Sequence, residues 1–192
     1  MSFVFTNSTT LKNAANYWIE FPETAERIYG HISNWDVSQI TDFSRIFDGK
    51  NTFNDDISDW DVSSGTSFVA MFSNASSFNQ DISGWDVSSG TSFTSMFEGA
   101  DAFNQDISGW DVSSGIYFAW MFHHNDSFNQ DLGAWDVSSA VSLEGMFGGN
   151  SSQINFDISG WDVSKVQSFS YMFAGNNVFN QNINNWDVSS GN

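Results

Sequence analysis

Apolar residues return along most of the chain in one short arrangement. Phe68, Met71, Phe72 and Ala75 stand at i, i+3, i+4 and i+7, and Phe93, Met96, Phe97 and Ala100 repeat the pattern. That spacing puts four side chains on one face of a helix of about two turns. Ser63, Ser64 and Thr66 lie just upstream and supply the side-chain oxygens that cap free helical N–H groups, so the predicted helix starts near Thr66. Between such segments, "DISGWDV" (81–87) brings Ile82, Trp85 and Val87 into a run too brief for a helix and bounded by Gly and Ser, which predicts a short strand or extended corner. Residues 1–31 differ. There "NSTTLKNAANYWIEF" predicts a capped amphipathic helix with Leu11, Ala15, Trp18 and Ile19 on one side.

The two predicted elements alternate because the chain is a repeat. The tetrapeptide WDVS begins at residues 35, 60, 85, 110, 135, 161 and 186, a period of 25 with one interval of 26. No 25-residue unit can bury its own apolar face, so the units must stack. The expected fold is an α/β solenoid with one short strand and one short helix per repeat (32–192) behind an N-terminal helical cap (1–31). Stacking turns each repeated position into a column: Trp60, Trp85, Trp110 and Trp135 form one structural ladder, and Asn79, Asn104 and Asn129 another, the second read as an internal amide ladder for buried turns. The extra residue falls between Met146 and Asp157, placing Ile154 in the Phe slot and Phe156 in the Gln slot, and predicts a one-residue bulge. The seventh unit stops at "NWDVSSGN", from which a longer parent array is expected.

Composition and charge narrow the partners. The net charge of −18 with only 5 Lys+Arg repels phosphate backbones and anionic headgroups, so neither nucleic acid nor a membrane surface is an expected partner. Twenty Phe and 9 Trp set the chain apart from a disordered acidic tail. The acidity suits calcium, salt tolerance or a cationic partner, against the plain role of keeping a surface soluble. With no Cys, disulfides and thiolate chemistry are excluded. No signal peptide is visible at the start, and no apolar run is long enough for a membrane span, so membrane insertion by this segment is not expected.

On the strength of "FNQDISGWDVSSGTSFTSMF" and of "LKNAANYW…YGHISNWDVS", the chain resembles the bacterial surface-protein repeats of about 25 residues known from mycoplasma lipoproteins. More distantly it is similar to surface-antigen leucine-rich repeats of the treponemal type. The resemblance implies a right-handed, leucine-rich-repeat-like stack on secreted or cell-surface proteins, with adhesion or ligand recognition and no catalytic residues. One column departs from the family pattern: the branched residue after WDVSS is Gly65, Gly90 and Gly115, although Ile40 and Val166 keep it.

Candidate chemistry lies in columns and in exceptions to them. Asp recurs after Trp and before Ile. Asp81, Asp86, Asp106 and Asp111 are the candidate calcium ligands, against the alternative that each accepts backbone N–H groups in an Asx-turn. Serines in turns and the three histidines, His31, His123 and His124, show no nucleophile and base pairing, so the chain is not expected to be an enzyme. The exception is "IYFAWMFHHND" (116–126). On the helix frame Phe118, Met121 and Phe122 face inward, so Tyr117, Trp120 and His123 face outward, with Tyr171, Glu98 and Glu144 near the same face. That cluster predicts a binding site for a peptide, glycan or protein partner. The rival reading has the rings folding over neighbouring repeats. The alternative function is a calcium-stabilised stalk within a larger surface protein.

Overall fold

The computed structural model describes residues 2–149 and 154–191. Two helices open the chain. Helix α1, Ser8–Glu20, is capped by Asn7, whose side chain accepts the Thr10 N–H, and it buries Leu11, Ala14, Ala15 and Trp18. Helix α2, Pro22–Tyr29, follows at once with Pro at its first turn, where the missing N–H costs nothing, and Gly30 beyond its end at φ +76°. Together with Phe5 they cover the first Trp of the repeat: Trp18 meets Trp35 edge-on at 6.1 Å and Phe5 lies 4.9 Å from it. The Trp18 indole N–H also reaches the Asp55 carboxylate at 3.2 Å.

From Trp35 onward the chain winds in coils of the repeat length, and among the described residues the expected strand and helix are both absent. Among the described residues the only β pairings besides Val4↔Asp36 are isolated parallel bridges joining Asp42, Ser67, Ser92, Tyr117, Ser142 and Ser168 in sequence. They fall where the helix was expected to begin. The α/β solenoid and its leucine-rich-repeat-like stack are therefore corrected to a stack built from tight turns.

The segment predicted as a helix shows why. N–H groups of Phe68, Ala70, Phe72 and Asn74 donate to the carbonyls of Ser92, Thr94, Met96 and Glu98 in the next coil at 2.6–2.9 Å. Those of Met71, Ser73 and Ala75 donate back to Phe68, Ala70 and Phe72, closing four-residue turns. Ala70 and Asn74 take φ of +53° and +55°, which no helix tolerates. This alternation satisfies every N–H from Ala70 to Ala75 and cross-links the coils. Spacing decides the matter: packed helices need about 8–10 Å between axes, whereas the ring centroids of Phe43, Phe68, Phe93 and Phe118 follow one another at 5.4–5.5 Å. A four-residue turn period still delivers Phe68, Met71, Phe72 and Ala75 to the interior, all buried.

The "DISGWDV" corner is no strand because it folds twice in a few residues. Trp85 N–H closes a turn on the Ile82 carbonyl, and Gly90 N–H closes another on Val87. Aspartate opens each: Asp81 accepts the Ser83 N–H and Asp86 that of Ser88. The interior is a set of aromatic columns. Phe47, Phe72, Phe97, Phe122 and Phe147 stack at 5.5–5.8 Å, each of the first four also lying against Phe53, Phe78, Phe103 or Phe128 at 3.8–4.1 Å. Such parallel contacts add about 0.5–1.5 kcal/mol each beyond area burial. Trp60, Trp85, Trp110 and Trp135 donate their indole N–H to Ile32, Ile57, Ile82 and Ile107 of the preceding coil at 2.9–3.2 Å.

Gly65, Gly90 and Gly115 are now explained. A Cβ at any of them would collide with the ring of the Phe three residues on, so this departure from the family pattern makes room for Phe68, Phe93 and Phe118. The bulge was expected between Met146 and Asp157, an interval of which residues 150–153 lie outside the described residues. Past those residues Ile154 is buried, as the Phe slot requires, and Phe156 sits edge-on to Phe147 at 5.8 Å.

Candidate functional site

Four faces of the coil carry side chains that could act on something outside. The aspartates are the first. Asp81, Asp86, Asp106 and Asp111 each accept the N–H of the Ser two residues on at 2.9–3.0 Å, and the Ser88 and Ser113 hydroxyls also bond Asp86 and Asp111. These bonds hold all four carboxyls below the usual carboxylate range, opposed by burial and, for Asp81 and Asp86, by the neighbouring aspartates of the column. Among the described residues no group of three or more His, Cys, Asp or Glu is placed to hold a metal ion.

The Asn column is a ladder, but on the surface rather than inside. Asn79, Asn104 and Asn129 donate their N–H to the side-chain oxygens of Asn54, Asn79 and Asn104 at 2.9–3.1 Å. Gln105 and Gln130 reinforce it from the same edge, each amide donating to the backbone and side-chain oxygens of Asn79 or Asn104. Asn79 and Asn129 remain exposed.

The cluster at 116–126 is the third face, and its frame is a turn rather than a helix. Trp120 and His124 occupy the two left-handed positions of their coil, at φ +60° and +53°. The following coil places glycine at the equivalent positions, Gly145 and Gly149. A Cβ on Gly145 would strike the Trp120 indole, and one on Gly149 would strike the His124 ring, so the large side chains of one coil lie on the bare backbone of the next. His124 Nδ1 stands 3.0 Å from the Gly149 carbonyl oxygen.

Trp120 is thus half-buried, leaning along the stack instead of outward. Two coils away from it, a rise of roughly 10 Å, Tyr171 leans back, and the two rings meet at 6.2 Å and 28°. Tyr171 stays 67% exposed. His123 stands edge-on to Trp120 at 4.7 Å, and its Nδ1 approaches Glu98 Oε1 at 3.6 Å. Burial, and then His124 with its ring 4.0 Å away, push the His123 pKa down, while Glu98 pulls it up. Glu144 accepts the Trp120 N–H at its backbone oxygen, and its carboxylate takes the Ser168 hydroxyl at 3.3 Å. Tyr117 is 48% exposed and sits on the bridge column, apart from the ring contacts that join Trp120, His123 and Tyr171.

Five of the six residues singled out from the sequence are therefore linked, through Glu98, His123, Trp120, Tyr171 and Glu144, while Tyr117 stands alone. Gly145 and Gly149 were missed. The concentration of glycine in "EGMFGGN", one repeat after the aromatic cluster, was their signal. The fourth face is an apolar hollow of about 550 Å³ in the last coil, lined by Phe169, Met172, Phe173, Ile183, Trp186 and Val188.

No helix among the described residues is long and apolar enough to cross a membrane. Comparison with curated proteins and with solved structures finds no match. A family of repeat proteins does match, over residues 1–125 and 116–192, and with the whole length covered the chain belongs to the family described as "Mycoplasma protein of unknown function, DUF285".

Proposed function

We propose that the chain is a non-catalytic recognition module that displays variable side chains on a repeated scaffold, as part of a longer secreted or cell-surface protein of adhesin type. Its ligand is a peptide, a glycan or a partner protein surface. The observation that carries this reading is the Trp120 and Tyr171 pair. Two large rings meet across a glycine, one of them 67% exposed, on a coil whose interior columns are otherwise unchanged. Aromatic rings fixed against backbone offer contact area at low entropic cost.

The test is a glycan and peptide array probed with the wild-type chain and with Trp120→Ala/Tyr171→Ala. Binding that disappears in the variant, with the melting temperature retained, supports the reading. Binding that survives intact moves the recognition face elsewhere on the coil.

A further inference from the structure

Resting on the recognition reading, we propose that the Trp120 and Tyr171 platform takes a cationic side chain, Arg or Lys, presented by a basic protein segment. Glu98 lies on one side, reached through His123, and Glu144 on the other, directly joined to Trp120 through its backbone. Between Lys50 and Lys165 the chain contains no lysine or arginine, and Glu98, Trp120, His123 and Glu144 fall inside that stretch, with Tyr171 six residues beyond Lys165. Among the described residues Glu98 is paired with His123 alone and Glu144 accepts from the Ser168 hydroxyl, and burial biases His123 toward its neutral form.

The faces of Trp and Tyr rings carry partial negative charge and attract a guanidinium or ammonium within about 6 Å of the centroid. Carboxylates beside them add Coulombic attraction and hydrogen-bond acceptors that a planar guanidinium can use in pairs. A neutral sugar would stack on the rings and donate its hydroxyls to the carboxylates, but it would bring no charge to offset theirs. An acidic ligand would be repelled by the −18 net charge of the chain. A basic segment satisfies both halves of the face, and the surrounding acidity would speed its approach.

The experiment measures binding of a short alternating Arg-Gly peptide by calorimetry at physiological salt, with a Glu-Gly peptide as the opposite-charge control. Trp120→Ala/Tyr171→Ala changes no charge, and Glu98→Gln/Glu144→Gln removes two. Each is expected to weaken the Arg-Gly peptide about tenfold. Asp86→Asn/Asp111→Asn removes two charges from the WDVS corner and keeps the turn acceptors, so it should leave affinity nearly unchanged. Tyr171→Ala alone, at an exposed position, guards against a folding defect in the double variant and should also weaken binding. Equal affinity of the ring variants and wild type would overturn the proposal, as would equal weakening by the Asp pair, since either makes the attraction a property of bulk acidity. If the peptide fails to bind while the array yields a Trp120-dependent glycan, the cationic assignment falls and the recognition reading stands.

Discussion

At the scale of single residues, glycine decides where the aromatic side chains of this chain go. The sequence marks Trp120 as an outlier in its column, but its direction depends on Gly145 in the next coil, twenty-five residues away. Gly145→Ala would put a methyl group into the indole at a position with φ +59°. The ring can swing out, so the expected cost is about 1 kcal/mol, with increased acrylamide quenching of one tryptophan and loss of the contact to Tyr171. An unchanged quenching profile would show that the seat is not specific. The same logic makes Gly65, Gly90 and Gly115 legible only afterwards: their missing side chains are filled by rings three residues on.

At the scale of the element, the turn replaces the helix without disturbing burial. Helical spacing correctly selected Phe68, Met71, Phe72 and Ala75 as interior, since a four-residue turn period and a 3.6-residue helical period agree over so short a stretch. What separates them is the destination of the N–H groups, and that depends on the neighbouring coil. Columns also differ in what they hold. Trp110→Phe removes a buried indole donor to Ile82 and leaves a void, for an expected loss of about 2 kcal/mol. Asn104→Ala breaks the side-chain rungs to Asn129 and Gln130, leaving Gln130 its bond to the backbone oxygen, at an edge water can reach, for a loss of about 0.5 kcal/mol. Denaturant melts of the two variants should separate in that order.

At the scale of the whole molecule, stability should depend on pH in two stages. His123 is held below its ordinary pKa, so the fold favours the neutral ring; that contribution is complete above about 6.5 and declines as pH falls through the folded value. The aspartate columns, held down by serine, contribute above about 4 and lose that contribution as pH falls through their lowered values. Melting temperature followed from pH 8 to 3 should show a shallow then a steep decline, and His123→Gln should remove only the first. Repeating the series with calcium and with EDTA tests the aspartates as ion ligands: a calcium-dependent rise in melting temperature would give the columns that role, and coincident curves would leave them as turn acceptors.

Periodicity alone was enough to reveal the repeat, the buried columns, the helix at 8–20 and the turn role open to aspartate, because each follows from local chemistry repeated at a fixed interval. The conformation of the coil was not local. A segment with helical spacing has two ways to satisfy its backbone, within itself or across to a neighbour. The close approach of coils, at about 5 Å, excludes the first and rewards the second. The same proximity laid Trp120 over Gly145 and brought Tyr171 back to meet it, an arrangement that exists only once the coils are stacked.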